Sequence, residues 1–218
     1  MWSLAQTLAA RRPLQSLKPA AVWNAELDAA IAAQADEWVG RLAVGSKSDA
    51  LSFIAGLHAW NDSLDASHDI SQNVETETGS YWHGIMHRME GDYWNSKYWM
   101  KRVGRHPIFP ELHRAAAELL SGPSGLAALD EGPGKDLLKA LAKADGWDPY
   151  LFVDAVERQT ERERDERTAY WLRSVQWHEI RLLLRHCYRG ATGEEPPALG
   201  AGNVGTTVFK PIGTDREE

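Results

Sequence analysis

The stretch from Leu51 to Val74, LSFIAGLHAWNDSLDASHDISQNV, contains no Lys, Arg or Glu. Those long charged side chains are what helices ordinarily turn toward water. Phe53, Leu57, Trp60 and Leu64 recur at helical spacing on one side of the stretch. Ser52, Ala55, Ala59, Ser63 and Ala66 make a small-residue side that favours close approach of a neighbour. A helix with so little solvated surface must be wrapped by others, so this segment predicts a central helix and a helical protein built around it.

The rest of the chain agrees. Residues 21–42 repeat Val22, Leu27, Ile31, Trp38 and Leu42 at helical spacing. Ser46 or Ser48 can cap the central helix, which the spacing extends to about Ser67, and ISQNVETETG reads as a loop. A helix from about Ser80 to Met89 and another from Tyr93 to Val103 are divided by Gly91-Asp92, a stop followed by a cap. Pro107 opens a further helix, SGPSGLAALDEGPGK reads as a linker, and KDLLKALAKA as a short helix. Asp148-Pro149 starts a run to Tyr188 that is either two helices or one bent near the charged block Glu161–Arg167. Strand signals are nearly absent. The expected fold class is therefore all-α, a compact array of seven to nine helices with extended N- and C-terminal arms: one helical domain over residues 1–190 and a Gly- and Pro-rich arm over 191–218.

Composition narrows function. The formal charge of −7 over 218 residues disfavours phosphate-backbone binding, so no nucleic-acid partner is expected. No apolar run approaches the roughly 18 residues of a membrane span, so no membrane association is expected either. Arg11 and Arg12 follow the apolar N-terminus, the reverse of a secretion signal, and point to a cytoplasmic location. Cys187 is the lone cysteine, which excludes an intrachain disulfide and a thiolate metal cage.

Any metal must therefore use imidazole and carboxylate. Positions i, i+4 and i+7 share a helix face, which aligns His83, His87 and Glu90. On a continuous central helix His58, Asp62 and Asp65 form a matching stripe, with Asp69 continuing it. Facing stripes of this kind build metal sites in helical bundles, and the donor set suits zinc, iron or manganese. The candidate metal ligands are His83, His87 and Asp62. Glu90 and Asp65 are candidate general bases for hydrolysis by a metal-activated water, with iron-dependent oxidation as the rival. The HGIMH sequence lacks the adjacent Glu of a metalloprotease motif. A ligand-free network of His, Asp and Arg ranks ahead of the metal, and a solvent-facing stripe behind it.

His58, Arg88, Trp82 and Glu179 complete the set of candidate binding residues. Glu179 falls on the buried side of the helix running to Tyr188, where pairing with Arg181 or Arg185 of its own helix is the favoured reading over a reach into the central cluster. The Tyr-Trp pairs at 81–82, 93–94 and 98–99 are expected mainly as core, with some at a pocket rim.

Gly84, Gly91-Asp92-Tyr93, Ser96, Met100 and Val103 together resemble a single tetratricopeptide-like unit, which implies a close-packed helical hairpin. The segments HAWNDSLDASHDISQ and YWHGIMHRMEGDYWNSKYWMKRVGRHP are similar to a family of uncharacterised bacterial and fungal proteins, a likeness that implies no catalytic residues. The two functional expectations are a small-molecule enzyme or binding protein with its pocket between the His58 helix and the His83 hairpin, and a non-enzymatic helical scaffold for protein partners or a homodimer.

Overall fold

The computed structural model describes residues 1–122, 125–129, 131–200 and 204, and the described residues contain ten α-helices and no strand. The all-α class is as expected; the helix number exceeds the expected range for two local reasons.

The first is the N-terminus. Rather than an extended arm it is a helix, α1 (Trp2–Ala9), because Trp2, Ala5, Leu8 and Ala9 form an apolar face that is buried. Trp2 Nε1 donates to the Pro197 carbonyl at 3.0 Å, tying α1 to the segment after the last helix. The second is a break in the central helix. It stops after α3 (Lys47–Trp60), turns at residues 61–63, and resumes as α4 (Leu64–Ser71). Asp62 takes a left-handed φ of 63°, a conformation that Asp tolerates better than most residues and that no helix can pass through.

Side chains from outside the break fix it. Asp28 of α2 (Ala25–Gly40) accepts from His58 Nδ1 at 2.7 Å, Ser63 Oγ at 3.1 Å and Asn61 Nδ2 at 3.4 Å. Asp62 receives Arg11 at 2.5 Å and Gln15 at 2.7 Å. The expected loop shortens in consequence, since Ile70 and Ser71 belong to α4 and α5 begins at Glu77.

Helix α5 (Glu77–Glu90) is capped by Thr76, whose Oγ1 accepts from Gly79 N at 3.0 Å. It ends on Gly91, at φ 88°, and the Asp92 N–H returns to the His87 carbonyl at 2.9 Å. Asp92 then caps α6 (Tyr93–Val103), the helix expected over those residues. Ser96 Oγ donates to the Gly84 carbonyl at 2.7 Å, and the added Cβ of a larger residue at 84 would meet chiefly the movable end of Met100.

Helices α7 (Phe109–Ser121), α8 (Pro133–Lys143) and α9 (Pro149–Arg158) follow, and a π-helical turn at Gln159–Glu163 leads to α10 (Glu166–Thr192). The charged block near 161–167 is thus a break between two helices. Long and amphipathic, α10 is the axis against which α1, α3, α7 and α8 pack, with Leu172, Val175, Ile180 and Leu183 buried along it. The expected C-terminal arm, 191–218, begins inside α10, and apart from Val204 the residues beyond 200 lie outside the described ones.

Candidate metal centre

His83 and His87 do come together, one turn apart on α5, with ring centroids 4.7 Å from each other. The third member of the group is His68 in the last turn of α4. One ligand atom from each of His68, His83 and His87 can be chosen so that all lie within 4.8 Å of one another. A tetrahedral zinc ion, at 2.0–2.1 Å from each nitrogen, requires separations of about 3.3 Å, so ring movements on the order of an ångström close the set.

The surroundings suit a cation held by neutral imidazoles. His83 and His87 are buried and His68 is half-buried, which leaves the group open on one side. Burial lowers the His83 pKa to about 4, and the neighbouring His87 and His68 push it the same way. Burial also lowers that of His87, against the opposing pull of Glu90 and Asp92. At neutral pH the His83 and His87 lone pairs are therefore free to bind a metal. His68 and His87 both sit in last turns, where unpaired carbonyls make the helix end electronegative.

Two contacts orient the rings. Glu90 Oε2 lies 3.1 Å from His87 Nδ1, the kind of carboxylate support that in metal sites fixes the tautomer of a ligating histidine and leaves the other ring nitrogen to bind. Trp99 of α6 stacks on His83 with centroids 4.0 Å apart and planes at 18°. His83 Nδ1 is buried without a hydrogen-bond partner, and no hydrogen bond joins the three rings among the described residues. An orphaned buried acceptor or donor costs about 1–3 kcal/mol. The expected ligand-free network of His, Asp and Arg forms at the α3–α4 corner, where Asp62 pairs with Arg11 and His58 with Asp28, and does not extend to these three rings.

The remaining candidates are dispersed. Asp62, expected as a ligand, is buried against Arg11 and Gln15, and His58 against Asp28; both hold the corner between α3 and α4. Asp65 and Asp69 are exposed, because the broken helix turns that part of the stripe outward. Asp65 stays one turn before His68 on α4. Trp82 is core, its Nε1 donating to Cys187 Sγ at 3.4 Å, so it walls no pocket.

Arg88 and Glu179 form a second, separate buried unit. Their side chains are 0% exposed and pair at 2.5 Å, Tyr81 donates to the same carboxylate at 2.9 Å, and the guanidinium carbon lies 4.5 Å from the centre of the Phe152 ring. The local pairing favoured for Glu179 is replaced by this long-range one, and Arg185 pairs instead with Glu111 and Glu195.

Sequence reasoning missed His68. Counted along an unbroken helix it falls about 80° from His58, off the stripe; only the break at Asp62 brings it round. Its usable signal was its place in the same stretch without Lys, Arg or Glu. Compared with known proteins, the chain matches no family model, no curated protein and no solved structure. The case for this centre rests on its own geometry.

Proposed function

We propose that the protein binds one divalent transition-metal ion, zinc above iron or manganese, through His68, His83 and His87, and acts as a hydrolase on a small-molecule substrate. The observation that carries the reading is the convergence of those imidazoles from two helices, with a carboxylate behind one of them. An all-imidazole donor set with a free position matches catalytic rather than structural zinc, which closes its fourth position with a protein ligand.

When bound, such an ion supplies Lewis acidity, bringing a coordinated water toward ionisation near neutral pH. Glu90 holds His87 in the ligating tautomer and makes its ring more basic. Trp99 limits the ring of His83 to one plane and excludes water from that side. Asp65, exposed beside His68, takes the role of proton acceptor at the open face. Glu90 is assigned to orientation rather than base catalysis, because its carboxylate is engaged by His87.

Cobalt substitution tests the site. A chelator-treated sample should take up one equivalent of Co2+ with visible bands typical of four-coordination, and His83→Ala should abolish them while the helical circular dichroism persists. An octahedral cobalt spectrum unchanged by that substitution would contradict the reading.

A second reading, a scaffold for a partner or for homodimerisation, has its own observation. Trp94 and Tyr98 on α6 are 77% and 47% exposed and stack at 6.3 Å with planes 13° apart. A dimer that dissociates on changing both to Ser would support it, and a monomer at all concentrations would not.

A further inference from the structure

Six large apolar side chains are exposed among the described residues, and three of them adjoin: Trp94 and Tyr98 of α6, 77% and 47% exposed, and Tyr150 of α9, 40% exposed. Trp94, Tyr98 and Lys101 fall at i, i+4 and i+7 on α6, opposite the side on which Ser96, Met100 and Val103 are buried. On α9, Tyr150, Asp154 and Glu157 follow the same spacing. Lys97 of α6 pairs with both of those carboxylates, so the two stripes lie side by side. A monomeric protein rarely leaves an aromatic patch of this kind to water.

Charge is divided along this face. Helices α6 and α9 run antiparallel, since Tyr93 meets Thr160 and Lys97 meets Asp154. Beside the first half of α6 stand Asp154 and Glu157, two carboxylates for the single Lys97, with Glu161, paired to Lys18, one turn further on. Beyond Tyr98 come Lys101 and Arg102, both exposed and without an ion pair among the described residues; the Arg102 guanidinium is held 5.2 Å over the Trp99 ring. Asp148, the acid next to this end of α9, is engaged as the cap of its own helix by the Tyr150 and Leu151 N–H groups.

We propose that this face binds the same face of a second copy of the chain about a two-fold axis near Tyr98; this rests on the scaffold reading above and names its partner. A two-fold contact presents one patch to itself in reverse, so it requires a patch whose ends are opposite in charge. Here the axis lays the Lys101 and Arg102 end of one copy on the Asp154 and Glu157 end of the other, at both ends of the contact. Trp94, Tyr98 and Tyr150 fill the middle, the arrangement of aromatic centre and polar rim that protein interfaces favour. An acidic peptide or an anionic surface fits less well, because Asp154 and Glu157 would face it with like charge.

Sedimentation equilibrium of the full chain tests it, with two reversed-charge variants, Lys101→Glu with Arg102→Glu and Asp154→Lys with Glu157→Lys. The parent should be a dimer. Each variant alone should associate about tenfold or more weakly, with helical circular dichroism retained. An equimolar mixture of the two should recover the parent's affinity as a heterodimer, because opposite charges then meet again at both ends. The first variant breaks no intramolecular ion pair, so an unchanged dimer in that chain overturns the assignment by itself, as does a failure of the mixture to recover when both variants are folded. A dimer lost on changing Trp94 and Tyr98 to Ser but indifferent to the reversed charges would overturn the two-fold register and leave the scaffold reading standing. A monomeric parent would overturn it together with the homodimer. Binding of that monomer to polyglutamate or to phosphatidylserine vesicles, lost in Lys101→Glu with Arg102→Glu, would give the face to an acidic partner or to lipid instead.

Discussion

Arg88 and Glu179 cannot be replaced singly without a large cost, because loss of either leaves the other as an uncompensated charge in the interior. Removing one partner of such a pair costs about 3–5 kcal/mol, whereas removing both can cost far less. Arg88→Met should therefore lower the urea midpoint sharply, and adding Glu179→Leu should recover part of the loss. A double substitution no more stable than Arg88→Met alone would contradict the account of an uncompensated buried carboxylate. His106 sets a pH dependence at the same scale. Its Nε2 lies 3.1 Å from Thr78 Oγ1, and burial, aided by His186, lowers its pKa to about 3. Burial likewise brings His178 down to about 4, with Arg181 adding to it. Both groups fold neutral, so the unfolded chain takes up the proton first, near pH 6.5. Their contribution is intact above that pH and is lost as pH falls toward 4 and 3, by roughly 1–2 kcal/mol for each at pH 5. Urea midpoints of the chelator-treated protein should fall between pH 7 and 5, less so in His106→Gln; a flat profile would contradict the buried, neutral state of these imidazoles.

At the scale of elements, glycines in α3 and α5 separate a rigid contact from an adjustable one. A Cβ on Gly56 would overlap the indole of fully buried Trp82, while one on Gly84 would press on the tip of Met100, at 3.0 Å from Cε. Gly56→Ala should cost about 1–3 kcal/mol by overpacking. Gly84→Ala should remain within about 1 kcal/mol of the parent, because the thioether can move and Ala favours helix. Equal losses in the two variants would mean that Met100 is as fixed as Trp82. The same helices show why part of the fold was legible and part was not. Gly91 and Asp92 announce the α5–α6 turn locally, so Tyr93–Val103 could be read from sequence alone, as could the pairing of His83 with His87. The break after Trp60 has no comparable local sign. It is imposed by Asp28, Arg11 and Gln15, which reach the corner from distant parts of the chain. Periodicity therefore carried the helix through Asp62, placed Asp62 and Asp65 in the site and left His68 out. Glu179 was misassigned for the same reason, since its partner lies on another helix.

For the whole molecule, the corner and the centre are one arrangement. His58 and Asp62, which spacing placed among the functional residues, hold the turn that carries α4 across α5 and delivers His68 to His83 and His87. The rest of the fold, with α10 as axis, keeps α5 buried along most of its length and so keeps two of the imidazoles neutral. No helix among the described residues is long and apolar enough to cross a membrane. The most direct test is the zinc content, by plasma mass spectrometry, of protein purified without a histidine tag, compared between the parent chain and His68→Ala. The three-imidazole centre predicts close to one ion per chain in the parent and loss of it in His68→Ala, with helical content retained. Metal-free parent protein that takes up no zinc on addition, or a His68→Ala chain that keeps its ion, would contradict it.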